Sequence, residues 1–176
     1  PYTDDVNRVI GNINLTYKVL PWLKLSYKIG LDNFTDSRDF AWDVNSSSQT
    51  VGRVEQVTRI SKRFNSDVLL LINKDLSEDL NLAATIGHNY NSRYFENKSS
   101  EGSNFSIPGF FDMSNASEIM SSRSISREKL YGVFGDVKFG YKNIVYLNLS
   151  ARNDWSSTLP QGKNSLLYPA GGIGFE

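Results

Sequence analysis

The 176-residue chain reads as all-β: an antiparallel transmembrane β-barrel segment of about seven up-and-down strands taken from a larger barrel. Three observations predict it. Apolar side chains recur at every second position, the connections alternate between short and long, and aromatic residues gather near the ends of the alternating stretches. Hydrophobic content of 39% and a mean hydropathy of −0.38 fit this class. A barrel strand shows only every second side chain to lipid, so its average hydropathy stays modest. A spanning helix is excluded, because the longest purely aliphatic run, Val68 to Ile72, is far short of the roughly 20 apolar residues required.

The first strand, about 6–17, sets Val9, Ile13, Leu15 and Tyr17 against Asn12, Asn14 and Thr16. The second sets Leu23, Leu25, Tyr27, Ile29 and Leu31 against Lys24, Ser26, Lys28, Gly30 and Asp32. In a strand these two sets face opposite sides, whereas a helix would scatter them around its circumference. The third, about 53–73, carries Val54, Ile60, Phe64, Val68, Leu70 and Ile72 on even positions and Glu55, Arg59, Arg63, Asn65 and Asp67 on odd ones. Its phase holds through Phe64–Asp67, which predicts one long strand. The fourth alternates Leu80, Leu82, Ala84 and Ile86 with Asn81, Thr85 and Asn89. The fifth sets Tyr131, Val133, Val137, Phe139 and Tyr141 against Asp136 and Lys138; the sixth sets Val145, Leu147 and Leu149 against Asn148, Ser150 and Arg152. A seventh begins near Leu167.

Short connections are expected at 18–22, 75–79 and 142–143, and long ones at 33–50, 95–127 and 155–166. Outer-membrane barrels have short periplasmic turns and long extracellular loops, so the first strand would descend and the second ascend. Tyr17, Trp22 and Tyr141 fall at the short-turn ends, and Tyr90, Tyr94, Tyr131 and Trp155 at the long-loop ends. Amphipathic rings settle at lipid–water boundaries, which predicts two girdles. The apolar stretch between them is about 9–11 residues, the length a tilted strand needs to cross. Seven strands would leave unpaired edge groups in lipid, and single-chain bacterial barrels are even-stranded, so further strands are expected outside this sequence. Pro1 without a leading methionine and a last residue, Glu176, inside an alternating pattern carry the same expectation.

Several function classes are disfavoured. With 19 basic and 19 acidic side chains there is no basic excess for nucleic acid. The absence of cysteine removes disulfides, thiol catalysis and Cys-based zinc sites, and the single histidine, His88, falls on the outward phase as an interfacial residue. Asp4-Asp5 and the Asp36/Asp39 pair are adjacent only in sequence, whereas a glycosidase needs two carboxyls across a fixed pocket. Gly11, Gly30, Gly132, Gly135 and Gly140 sit in strands and form no phosphate loop. Asn14-Leu15-Thr16 and Asn148-Leu149-Ser150 lie inside strands and are not taken as glycosylation sites. No enzyme activity, metal or cofactor is expected. The inward polar set (Asn12, Asn14, Lys24, Lys28, Asp32, Glu55, Arg59, Arg63, Asp136, Lys138, Asn148 and Arg152) either forms a hydrated wall or includes contacts to a plug or substrate. Its mixed signs give no support to an ion-selective ring.

The stretches Lys129-Leu130-Tyr131-Gly132-Val133-Phe134-Gly135-Asp136-Val137, Gly140-Tyr141-Lys142-Asn143 and Ala151-Arg152-Asn153-Asp154-Trp155-Ser156-Ser157-Thr158-Leu159-Pro160 resemble the barrel signature of the SusC/RagA family of TonB-dependent outer-membrane receptors of Bacteroidota. The run 152–160 is the most specific part. Val6-Asn7-Arg8 with Gly11-Asn12, Trp22-Leu23, Ile107-Pro108 and Ser114-Asn115-Ala116 support it. The resemblance extends over nearly the whole chain, 1–176, and makes it a central-to-late part of the barrel domain. It implies a barrel of roughly 22 strands with a plugged lumen, a TonB-engaging segment outside this sequence, and a SusD-like lipoprotein lid. It also implies import of oligosaccharides or peptides across the outer membrane.

Two candidate regions follow. Arg152, Asn153, Asp154, Trp155, Ser156, Ser157 and Pro160 either bind ligand at the barrel mouth or build the strand-to-loop exit. For the exit, Asn, Asp and Ser can bond nearby backbone, Trp155 can anchor at the interface, and Pro160 stops pairing. Phe110 and Phe111, with Phe105, Ile107 and Met113, form an apolar set in the longest loop that either docks the lid lipoprotein or packs on neighbouring loops. Active uptake competes with two other functions: a passive porin-like or structural barrel, and a soluble β-rich carbohydrate-binding module. A plug-like domain upstream would separate uptake from the passive barrel, and the loop alternation weighs against the soluble module.

Overall fold

The computed structural model describes residues 1–47 and 49–176; Ser48, inside the connection expected at 33–50, lies outside the described residues. Seven strands follow one another: β1 (Tyr2–Leu20), β2 (Leu23–Ser46), β3 (Gln49–Asp75), β4 (Leu80–Phe105), β5 (Ala116–Tyr141), β6 (Val145–Ser156) and β7 (Ser165–Phe175). They form one antiparallel up-and-down sheet in chain order, with β1 and β7 at its edges. The expected class, strand number and single long third strand are all present.

The register preserves the phase read from the sequence. Val137 pairs with Leu149, Phe139 with Leu147 and Tyr141 with Val145, while Phe134 pairs with Arg152, Asp136 with Ser150 and Lys138 with Asn148. Apolar therefore meets apolar on one face, while the other is polar except for Phe134, which faces Arg152; a one-residue slip would turn every side chain of β6 to the wrong face. The β5–β6 turn is fixed by Lys142 and Asn143, both at positive φ (52° and 57°), and Ile144 N–H donates to Tyr141 C=O at 3.0 Å. Paired positive φ values are the mark of the tight hairpin turns whose twist matches the strands.

The expected long loops are the main correction. Most of 33–50 belongs to β2 and β3, and most of 95–127 to β4 and β5, which leaves 106–115 between strands. The third shrinks to 157–164. Apolar alternation is only partial there, as at Phe34, Phe40, Trp42 and Val44, and polar cross-strand pairs join the strands as well. Arg8 reaches Asp32, Arg53 reaches Glu101, and Arg123 reaches Glu96. Opposite charges facing across strands stabilise a sheet as apolar pairs do.

The chain divides into two compact units. Unit one comprises residues 1–10, 32–62 and 93–127; unit two comprises 11–31, 63–92 and 128–176. Among the described residues the only buried hydrophobics are Val54 and Val57, both in unit one. In unit two Val133, Tyr141, Leu147, Leu149, Ile173 and Phe175, on the adjacent strands β5, β6 and β7, are all exposed, Phe175 by 76%. A contiguous exposed apolar face marks contact with a partner or a nonaqueous medium.

Candidate functional site

Unit one carries a ladder of ion pairs on the polar phase of its strands. Arg8 grips Asp32 with two bonds of 2.8 Å. Arg38 holds Asp36 bidentately at 2.9 and 2.8 Å and lies 3.8 Å from Asp4. Arg53 donates to both Glu55 and Glu101 at 2.9 Å, and its guanidinium sits 5.2 Å from the centroid of the Trp42 ring. The buried Nε of Arg53 has no hydrogen-bond partner. Arg38 holds the Asp36 carboxyl below the usual carboxylate range. Fixed pairs of both signs can orient a polar or zwitterionic ligand but make no ring of one sign. Asp39 accepts instead from Thr3 Oγ1 at 3.4 Å, so Asp36 and Asp39 serve separate partners and form no catalytic dyad.

Unit two holds a second cluster around Arg152. Its guanidinium lies 5.3 Å from the centroid of the Phe134 ring and binds both oxygens of Asp154 at 2.9 Å. Gly132, paired with Asp154, leaves room for that ion pair; a methyl group there would stand 2.7 Å from Arg152 Nη2. The Phe134 ring in turn lies over Gly87, where a methyl group would come within 2.6 Å of ring carbon Cε1.

The remaining residues of the run 152–160 make local bonds. Asn153 Nδ2 donates to Ser165 Oγ at 2.8 Å on β7. Trp155 stacks on Tyr131, its register partner, with centroids 4.9 Å apart and planes 11° from parallel. Ser156 N–H donates to Asn164 C=O, and Ser157 exchanges two bonds with the Lys129 backbone. Pro160 C=O accepts from Lys163 N–H at 3.0 Å in the β6–β7 loop.

The loop 106–115 is pinned by a side chain that sequence reasoning did not single out as a site. Asn115 is buried, accepts from Ile107 N–H at 2.9 Å, and donates to Ile107 C=O and Phe110 C=O at 2.7 and 2.8 Å. Gly109 N–H donates to Asp43 on β2 at 2.8 Å. Phe110 stays half-exposed, while Phe111 lines a cavity of about 230 Å³ with Tyr2, Asp39, Phe40, Ala41 and Val54. Both phenylalanines stay exposed, and Phe111 borders the cavity beside the strands. His88 is exposed on β4.

Sequence reasoning also missed Glu96. It is buried, accepts from Tyr94 Oη and Arg123 Nε at 2.6 Å each, and lies 3.4 Å from Lys98 Nζ. The Tyr94 hydroxyl first, and Arg123 second, hold its carboxyl down to about 2. A readable signal existed: Asp36/Arg38, Arg53/Glu55, Glu96/Lys98 and Arg152/Asp154 are all opposite charges two residues apart. Such pairs share one strand face.

Solved structures share this fold. The chain matches "Structure of the RagAB peptide transporter" with a TM-score of 0.90 and 16% identity. It matches the RagAB peptide importer in its "closed-closed" state at 0.89 and its "open-open" state at 0.80, again at 16% identity. Each match covers 99% of this chain but 20% of the other, so the chain spans about a fifth of those proteins. No family model and no curated protein matches. At this identity the likeness establishes the fold: seven strands equivalent to part of a large transporter.

Proposed function

We propose that this chain is a section of barrel wall from a SusC/RagA-type TonB-dependent importer of the bacterial outer membrane. The single observation that carries this is the match of 99% of the chain to the RagAB peptide transporter. The exposed apolar face of unit two supports it, because lipid is the medium such a face requires. The polar phase would then line the lumen, with the ion-pair ladder of unit one as its wall. The cargo would be an oligosaccharide or a peptide. Peptide has the closer support, since the matching structures are peptide importers. A plug, a TonB-engaging segment and a SusD-like lipoprotein lid would complete the transporter, and the protein would not be an enzyme.

The test is uptake by the native cell. Deleting the gene should abolish accumulation of a fluorescent peptide or oligosaccharide panel member, and a protonophore should have the same effect on the wild type. Uptake that survives the protonophore would favour the passive barrel; uptake unchanged by deletion would overturn import altogether. Within this proposal Phe110 and Phe111 dock the lid, Phe110 through its exposed ring. Replacing both with serine should lower recovery of the lipoprotein with the full-length barrel; unchanged recovery refutes that role.

A further inference from the structure

Six side chains of unit one form a cluster that the transport role does not use: Lys62 on β3; Tyr94, Glu96 and Lys98 on β4; Arg123 and Arg127 on β5. Lys62 Nζ lies 6.0 Å from the centroid of the Tyr94 ring, and the Arg127 guanidinium lies 5.5 Å from it. Glu96 ties the centre together, binding the Tyr94 hydroxyl and Arg123 and approaching Lys98. The cluster thus holds two cations at the buried Glu96 carboxylate and two more at the Tyr94 ring bonded to it. Arg123 and Lys98 keep 58% and 51% of their side-chain surface exposed, so their charge is available to a ligand.

The phase gives the cluster its direction. Tyr94, Glu96 and Lys98 continue the even positions of β4, which carry Leu80, Leu82, Ala84 and Ile86. Arg123 and Arg127 continue the odd positions of β5, which carry Tyr131, Val133 and Val137. These are the apolar phases of both strands, not the phases of the lumen wall. Tyr94, two same-face positions after Tyr90 in β4, is with it one of the aromatic residues expected at the outer lipid boundary, and the cations gather around and after it. Cations placed just past an apolar band meet headgroups.

We propose that this cluster binds the phosphate groups of an outer-leaflet glycolipid headgroup. Arginine forks and lysine ammonium groups supply charge-assisted bonds to phosphate oxygens. Glu96 acts as a positioning residue, holding Arg123 and the Tyr94 ring so that the cations converge. The inference rests on the outer-membrane assignment.

The experiment uses the full-length protein, solubilised from cell membranes in mild detergent. Retained phosphorylated glycolipid per protein is counted by native mass spectrometry. Wild type should retain it. The triple variant Lys62→Gln/Arg123→Gln/Arg127→Gln should lose it, by about fivefold per cation and roughly a hundredfold together, from the attraction of each surface cation to anionic headgroups. The charge-conserving variant Lys62→Arg/Arg123→Lys should keep most retention, and enzymatically dephosphorylated glycolipid should bind as weakly as the triple variant. Removing polar-phase cations of the same unit, Arg8→Gln/Arg59→Gln, should leave retention unchanged. Equal retention by wild type and triple variant, or no preference for the phosphorylated lipid, overturns the proposal while leaving the membrane assignment standing. Recovery of the wild type outside the membrane fraction overturns both.

Discussion

The contact between Gly87 and Phe134 offers a sharp test of how the wall of unit two is built. Gly87→Ala would place a methyl group 2.6–2.7 Å from ring carbons Cε1 and Cε2 of Phe134. Ordinary carbon contact is about 3.5–4.0 Å, so the ring must retreat by about 1 Å. That movement also disturbs the Arg152 guanidinium, 5.3 Å from the ring centroid. Overpacking of this kind costs about 1–3 kcal/mol. Replacing a strand glycine returns roughly 0.5–1 kcal/mol through the unfolded chain, so the net destabilisation should be about 0–2.5 kcal/mol. Phe134→Ala removes the obstacle, and the double variant should then recover most of the alanine penalty. The assay is reversible urea unfolding of the full-length barrel in detergent, read as a double-mutant cycle. A coupling energy of at least about 1 kcal/mol is expected. Additive single effects would refute the claim that the bare glycine face exists to seat the ring.

Asn115→Ala removes three bonds that hold the loop 106–115, two to backbone carbonyls and one from a backbone amide. It should cost about 1–3 kcal/mol locally and speed proteolytic cleavage within 106–115, read by the fragment masses. Trp155→Ala removes the stack on Tyr131 and should lower the thermal midpoint by the loss of about 0.5–1.5 kcal/mol beyond buried area. For Glu96 the folded pKa of about 2 lies below the ordinary 4.5, so its stabilisation is complete above about 4.5 and disappears as pH falls through about 2. Hydrogen exchange of residues 93–127 should quicken across that window in the wild type and show no such step in Glu96→Gln.

The candidate sites were only partly legible. Arg152 and Asp154 could be picked out by resemblance, but their union with Phe134 and Gly132 depends on the β5–β6 register. Phe110 and Phe111 look equivalent in sequence and both stay exposed, yet only the tertiary structure sets Phe111 beside Tyr2, Phe40 and Val54. Glu96 shows in sequence only its local neighbours Tyr94 and Lys98, and its partner Arg123 comes from the next strand.

By itself, the order of residues determined the strand number, the phase of each strand and the position of the tight turn at Lys142-Asn143. Those are local properties: a period of two and a backbone preference act over a few residues. The tertiary structure decided how far each strand runs. Residues 116–127 carry no regular apolar alternation, and in 33–46 the phase of Phe34, Phe40, Trp42 and Val44 is broken by Asp36 and Arg38. They are strands because the neighbouring strand supplies backbone partners and opposite charges at matching heights, as at Arg38–Asp4 and Arg123–Glu96. Pairing energy of that kind exists only once the sheet has formed.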